Sequence, residues 1–174
     1  VMVFRTHTGY RLVSNAVTRE RVQNWLEQHA QAFACTVLWR HDLCLFSIQG
    51  PLARERLSSI VSSTRAHLLE SLEHHEAAID GDWLISCSGY TGEDGIEIML
   101  PAVQAIDFLN ELVGAGISPI GIGARDTLRL EAGFNLYGLE TNEEVSPLAA
   151  NMQHLLCWQP ESRDFIGRTA VQTR

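Results

Sequence analysis

One stretch of the chain decides the fold: Ser88-Gly-Tyr-Thr-Gly-Glu-Asp-Gly-Ile-Glu-Ile-Met-Leu-Pro101, a Gly-rich turn that leads directly into a strand. Within that strand Ile96 and Ile98 alternate with Glu97, so the isoleucines are expected to face the core and the carboxylate the opposite side. The glycine spacing does not match a dinucleotide-binding fingerprint, and a strand rather than a helix follows the turn. The stretch therefore predicts a loop and a strand with an acidic side chain aimed away from the core.

Three hairpins are predicted upstream of or leading into this turn. Each consists of two strand-like runs separated by a short turn, and the Asp-Gly dipeptide of the third favours a tight hairpin. The paired runs are 1–5 with 10–14, 35–39 with 43–48, and 73–79 with 83–88.

Helical spacing of apolar residues occurs between these hairpins and after the Gly-rich turn. Helices are predicted over 18–29, from near Leu52, over 102–115 and over 122–132, whereas 63–71 is ambiguous and the tail from Asn135 is irregular except for a helical start at 165–169. Hairpins interleaved with helices, without a regular strand-helix-strand rhythm, predict an α+β fold of antiparallel sheets packed with helices. We expect residues 1–174 to form one region, with subdivision near residues 50 and 140 as the alternative.

The composition excludes several classes of function. The 174 residues include 13 arginines and no lysine, and the formal net charge is −8. An acidic chain without clustered basic residues is not expected to bind nucleic acid. The lack of lysine excludes Schiff-base chemistry and a phosphate-loop lysine, while arginine keeps bidentate recognition of carboxylates available. No apolar run is long enough to span a bilayer, so no membrane association is expected.

The cysteines and histidines predict no metal site. Cys35, Cys44, Cys87 and Cys157 are widely spaced and mostly lie in apolar strand-like runs, which predicts buried free thiols in a reducing compartment. The seven histidines are scattered, and the adjacent pair at 74 and 75 is expected at the surface. The chain also lacks a Gly-x-Ser-x-Gly elbow and a His-Glu-x-x-His motif, so hydrolase and metalloenzyme activities lack their minimum parts.

Glu97 is the sharpest single candidate for a binding residue. A carboxylate held on a strand accepts two parallel hydrogen bonds, and a 2-amino-4-oxo pyrimidine ring presents such a pair of donors. The alternative is an ordinary solvated strand glutamate. The Gly-rich turn by itself does not decide between them, because Tyr-Thr-Gly-Glu-Asp-Gly is also compatible with a plain turn.

Two arginines follow on the next predicted helix, one turn apart on the same face. An unpaired buried cation is costly, so Arg125 and Arg129 need acceptors. For Arg129 we expect an internal salt bridge to Asp126 or Glu131. Arg125 lies at the start of the helix after the glycines, where contact with a ligand is expected.

Four motifs, in order, carry a family resemblance. They are Ser88-Gly-Tyr-Thr-Gly-Glu-Asp-Gly-Ile-Glu, Gly123-Ala-Arg-Asp-Thr-Leu-Arg-Leu-Glu-Ala-Gly-Phe-Asn-Leu-Tyr-Gly138, Ser146-Pro-Leu-Ala-Ala and Arg163-Asp-Phe-Ile-Gly-Arg168. With them the chain resembles the T-protein family of the glycine cleavage system over essentially its whole length. The resemblance implies the folate-binding domain of the aminomethyltransferase type.

The family transfers an aminomethyl group from the lipoyl arm of the H protein to tetrahydrofolate, with release of ammonia. By resemblance, tetrahydrofolate is the implied cofactor and the lipoyl-carrying H protein the implied partner, in the cytoplasm or, in a eukaryote, the mitochondrial matrix. Carried over residue by residue, Glu97 holds the pterin ring, Tyr90 and Asn15 line the folate pocket, and Arg125 contacts the folate. The oligomeric state is not implied.

The chain departs from the family pattern at several positions, which leaves alternative functions open. The essential aspartate of the family aligns just before Val1, so no catalytic residue is expected in this chain. We interpret the chain as an excised piece that lacks the C-terminal barrel domain of the family. We expect this piece to be inactive alone. Phe134 replaces a tyrosine of some relatives. The alternatives are a noncatalytic folate-binding or regulatory module and a related folate-dependent demethylase. A branch linked to iron-sulfur maintenance is disfavoured, because its Lys-Gly-Cys signature is absent from the tail.

Overall fold

A computed structural model describes residues 1–173 and divides the chain into two units. The first unit comprises Val1–Gly89 and Glu93–Pro119, and the second comprises Tyr90–Gly92 together with the chain from Ile120 onward. Both contain helices, and the sheets lie in the first unit. The predicted α+β class, with antiparallel sheets packed with helices, is confirmed.

The first unit begins with a hairpin and is built around a four-stranded sheet. The hairpin strands are β1 (Met2–Thr6) and β2 (Gly9–Val13), followed by a 3-10 turn and helix α1 (Arg19–Ala30). The antiparallel sheet has the order β3-β6-β5-β4, with β3 Leu43–Gln49, β4 Ala77–Asp80, β5 Trp83–Ser86 and β6 Gly95–Pro101. Helices α2 (Ala53–Ser58) and α3 (Ser63–Ser71) separate β3 from β4, and a 3-10 turn leads from β6 to α4 (Ala105–Gly114).

The two faces of this sheet are covered differently. The main core joins Ile85, Ile96 and Ile98 of the strands to residues of α2, α3 and α4, such as Leu57 and Phe108. On the other face a smaller cluster joins Leu84 and Met99 to Phe4 of the hairpin. Because side chains alternate along a strand, β6 sends its even-numbered residues into the main core and Glu97 with Met99 to the other face.

The second unit is mostly irregular chain around one regular helix. This helix, α5, spans Ile122–Glu131, and a short helix, α6, covers Arg168–Gln172. A 3-10 turn lies at Gln153–Leu155. The predicted helix over 122–132 and the irregular tail are therefore confirmed.

The predicted strand at 35–39 is wrong. This segment has no regular secondary structure, although the residues are β-branched or aromatic in part. The predicted partner strand, β3, is at the edge of the sheet and pairs with β6, and among residues 1–173 no ladder joins its other edge to 35–39, so the segment lacks the strand hydrogen bonds that a β conformation needs. The ambiguous segment 63–71 is helical, and its N-terminus is capped by the Ser62 side chain, which accepts a hydrogen bond from the backbone of Arg65.

Among residues 1–173, no helix has both the length and the apolar character needed to cross a bilayer. In the same residues no three or more His, Cys, Asp or Glu side chains gather in a group that could hold a metal ion.

Candidate functional site

Glu97 lies at the middle of β6, on the face turned away from the main core. Its register partners on the flanking strands are Ser47 and Ser86, and Glu97 itself is only 7% exposed. The solvated strand glutamate considered as an alternative is therefore excluded. A carboxylate at this depth requires hydrogen-bond donors, because burying an unsatisfied charge is expensive.

The donors present around Glu97 are hydroxyl groups. Ser88 Oγ donates to Glu97 Oε2 over 2.7 Å, and Ser86 Oγ lies 2.8 Å from Ser88 Oγ and 3.4 Å from the Glu97 carbonyl oxygen. No described residue between 1 and 173 forms an ion pair with this carboxylate. Glu97 is thus a buried acid held by neutral partners.

The two serines were not predicted from the sequence. The sequence feature that could have identified them is the spacing Ser86-x-Ser88 at the end of an otherwise apolar run, since residues two apart lie on the same face of a strand. Both are buried, at 0% and 5% exposure. Two polar side chains on one buried strand face require a polar partner on the neighbouring strand.

Gln49 fixes the backbone at both ends of the Gly-rich turn. Its side-chain amide donates to the Ser88 carbonyl oxygen at 3.0 Å and to Ser47 Oγ at 3.2 Å. The same amide group occupies the space where a Cβ at Gly89 or at Gly95 would lie. A side chain at either position would have to displace the Gln49 amide, the movable end of a flexible side chain, and would disturb its bonds to Ser88 and Ser47.

A second clamp on this turn comes from α2. Arg54 forms an ion pair with Asp94 at 2.9 Å and donates to Cys87 Sγ at 2.7 Å. It also donates to the carbonyl oxygens of Leu69 and Leu72. These bonds tie Asp94, at the start of β6, to the helical layer.

In the second unit, Tyr90 is enclosed by an aromatic ring and a cation. The Tyr90 and Phe134 rings are stacked with centroids 5.3 Å apart, and the Arg125 guanidinium carbon lies 4.6 Å from the Tyr90 centroid. Burial raises the pKa of Tyr90, against an opposing effect of Arg125. The stacked rings of Phe134 and Tyr90 thus lie beside the positive charge of Arg125. Such a group of side chains is suited to contact a conjugated ring and a carboxylate.

Arg129 has a different environment from its neighbour on α5. It is 1% exposed, with Nε bonded to Asp126 at 2.7 Å and Nη1 bonded to Glu140 at 2.6 Å and to the Phe134 carbonyl oxygen at 3.1 Å. The two carboxylates, Asp126 first and then Glu140, raise the pKa of Arg129. The expected internal salt bridge is confirmed for Asp126, whereas the second acid is Glu140 instead of Glu131.

Asn15 stands at the end of the first hairpin. It is exposed, adopts an extended backbone conformation and precedes the 3-10 turn without a side-chain capping bond. It lines a cleft of ≈ 700 Å³ in the first unit, together with Arg11, Trp39 and Arg40.

Of the four predicted binding residues, Tyr90 and Arg125 are in direct contact. Asn15 and Glu97 belong to the same unit, and no hydrogen bond among the described residues joins them.

The cysteines are free, as predicted, but they are not generally buried. Cys87 is buried, Cys44 is half-buried, and Cys35 and Cys157 are exposed. The reason at Cys35 is that the expected strand does not form. His74 and His75 are at the surface, as predicted, in a turn rather than a strand.

Comparison with known proteins gives consistent matches. Residues 1–159 match the family model described as the GCVT N-terminal domain. A Pseudomonas syringae pv. tomato protein named aminomethyltransferase is 54% identical over 173 residues, which is 99% of this chain and 48% of that protein. The crystal structure of the glycine cleavage system aminomethyltransferase T from Bartonella henselae superposes with a TM-score of 0.88 at 30% identity, covering 98% of this chain and 47% of that one. The chain thus spans about half the length of these relatives.

Proposed function

The chain belongs to the GCVT N-terminal domain family, and we propose that the protein to which it contributes is a tetrahydrofolate-dependent aminomethyltransferase of the glycine cleavage system. Its donor is the aminomethyl-lipoyl H protein, its acceptor is tetrahydrofolate, and ammonia is released. Its compartment is the cytoplasm, or the mitochondrial matrix in a eukaryote. The name and the 54% identity of the Pseudomonas relative support this reaction.

The observation that carries the proposal is the buried carboxylate of Glu97. Its Oε2 is held by one serine hydroxyl, and no cation among residues 1–173 neutralises it. A ring that offers two adjacent N–H donors, as the pyrimidine half of a reduced pterin does, satisfies such a carboxylate without needing a formal charge. The residues present therefore fit this ligand class.

Tyr90, Arg125 and Asn15 have complementary parts in the proposal. The stacked and partly exposed rings of Tyr90 and Phe134 supply aromatic surface, and Arg125 supplies a cation for the carboxylates of the folate tail. Asn15 supplies an exposed amide at the edge of the hairpin. We assign these groups binding and orientation.

Bound tetrahydrofolate supplies the nitrogen atoms that accept the one-carbon unit. The residues of this chain contribute by holding the acceptor in one orientation, which lowers the entropic part of the barrier. By resemblance, we assign proton movement to the family's essential aspartate, and to the residues of this chain only binding and orientation.

The test is an assay of the full-length protein with aminomethyl-loaded H protein and tetrahydrofolate. The proposal expects ammonia release that depends on tetrahydrofolate and is lost with unloaded H protein. Transfer of a methyl group from a sulfoniopropionate to tetrahydrofolate, with no activity on loaded H protein, would instead establish the demethylase alternative. Tight tetrahydrofolate binding without turnover of either donor would establish the noncatalytic module.

A further inference from the structure

The hydroxyl groups behind Glu97 form an ordered chain. An ionised carboxylate only accepts hydrogen bonds, so the single proton of Ser88 is directed to Glu97 Oε2. The Ser88 oxygen is then left as an acceptor for Ser86, whose hydroxyl lies 2.8 Å away, closer than its 3.4 Å contact with the Glu97 carbonyl. The donation therefore runs from Ser86 to Ser88 to Glu97, and each bond polarises the next.

The backbone that carries Ser88 is itself immobilised. Gln49 donates to the Ser88 carbonyl oxygen, and its amide packs against Gly89 and Gly95. Ser88 and Ser86 are both buried, so neither hydroxyl has free access to bulk water as an alternative partner. Ser88 is thus held at its backbone carbonyl by Gln49 and at its hydroxyl by Ser86 and Glu97.

This arrangement divides the carboxylate of Glu97 into two unequal oxygens. Oε2 is anchored by Ser88, and no described residue donates a hydrogen bond to Oε1. Rotation of the carboxylate about its terminal torsion would break the 2.7 Å bond to Ser88. Oε2 is thus the anchored oxygen. The orientation of the carboxylate is therefore restricted before a ligand binds.

We propose that Ser88 is the positioning residue that orients the Glu97 carboxylate toward a ligand with two adjacent N–H donors, such as the 2-amino-4-oxo edge of a reduced pterin. The inference rests on the proposed function, since it assumes that Glu97 meets that edge. Ser88 itself acts through Glu97 and does not touch the ligand.

The test compares binding of tetrahydrofolate and of its 2-desamino analogue to full-length wild type, Ser88→Ala, Ser88→Thr and Glu97→Gln by titration calorimetry. Ser88→Ala is expected to bind tetrahydrofolate about tenfold more weakly. It is also expected to discriminate less between the two ligands, because a rotating carboxylate no longer meets both donors together. Ser88→Thr keeps the hydroxyl and restores both affinity and discrimination.

The outcomes separate the inference from the function on which it rests. If Glu97→Gln loses affinity while Ser88→Ala keeps the affinity and ligand preference of the wild type, the positioning role is overturned and the function stands. If affinity falls equally for both ligands in Ser88→Ala and Ser88→Thr does not restore it, Ser88 is only structural and the inference is likewise overturned. If the wild type does not bind tetrahydrofolate, both fail together. Ser88→Ala also removes a hydrogen bond from a buried carboxylate, so its thermal midpoint is expected to fall, and the titrations are made at a temperature at which every variant is folded.

Discussion

Two buried charges in this chain are held in opposite ways. In the second unit, Arg129 is bonded to Asp126, to Glu140 and to a backbone carbonyl. In the first unit, Glu97 is bonded to the Ser88 hydroxyl and has no cationic partner among residues 1–173. A charge neutralised from within is typical of a structural brace, whereas a charge left without its counterpart is typical of a binding site.

The largest effect is expected for Arg129→Met. The substitution leaves Asp126 and Glu140 without their cation and releases the Phe134 carbonyl oxygen, so the thermal midpoint should fall by on the order of 10 °C. Arg125→Met is the matched control one helical turn away, where the contact with the Tyr90 ring is lost. Equal and small losses in both variants would remove the distinction between a brace and a binding residue.

The ion pair between Arg129 and Glu140 should stabilise the fold less at acid pH. The Leu136 backbone N–H and then Arg129 lower the pKa of Glu140 below its ordinary 4.5. A carboxyl whose pKa is lowered in the folded state stabilises the protein at pH values above its ordinary pKa. This stabilisation is lost as the pH falls from the ordinary pKa through the lowered one. Urea midpoints measured at neutral and acid pH should therefore depend less on pH in Glu140→Gln. An unchanged pH dependence would contradict the assignment.

Glu97→Gln should not destabilise the fold. The neutral amide is cheaper to bury than a carboxylate, and its oxygen still accepts the hydrogen bond from Ser88. The thermal midpoint is expected to stay level or to rise by about 2 °C. A fall comparable to that of Arg129→Met would mean that Glu97 too is a brace.

The smallest effect is expected at an exposed ion pair. Two hydrogen bonds from Arg40 lower the pKa of Asp42 to about 2, yet both side chains are in solvent. Asp42→Asn should change the thermal midpoint by less than about 2 °C, because exposed ion pairs contribute little. A large loss would show that this exposed ion pair is itself a brace, as the lowered pKa of Asp42 would then suggest.

The sequence predicted the elements that depend on local pattern. The alternation in β6 identified Glu97 as the residue opposite the core, and the α5 spacing predicted the bond between Arg129 and Asp126. It did not predict Glu140 as the second acid, since that residue is brought in by an irregular loop. The strand at 35–39 failed for a related reason: a β-forming composition has no consequence without a partner strand.

The candidate site was predicted only in part. Glu97, Tyr90 and Arg125 came from motifs, but their partners depend on register and ring stacking that no local pattern encodes. Ser88 approaches Glu97 because β5 and β6 are in a particular register, and Phe134 meets Tyr90 through a turn in the second unit. The hydroxyl chain and the Gln49 contact therefore required the structure.

The central claim is that Glu97 is a ligand-binding carboxylate, and calorimetric titration of the full-length protein with tetrahydrofolate tests it most directly. Glu97→Gln should weaken binding by about 2 kcal/mol, roughly 30-fold, because the amide offers a donor where the ring also has donors. Glu93→Gln, at an exposed acid of the same turn, is the matched control and should bind like the wild type. Unchanged tetrahydrofolate affinity in Glu97→Gln would contradict the claim.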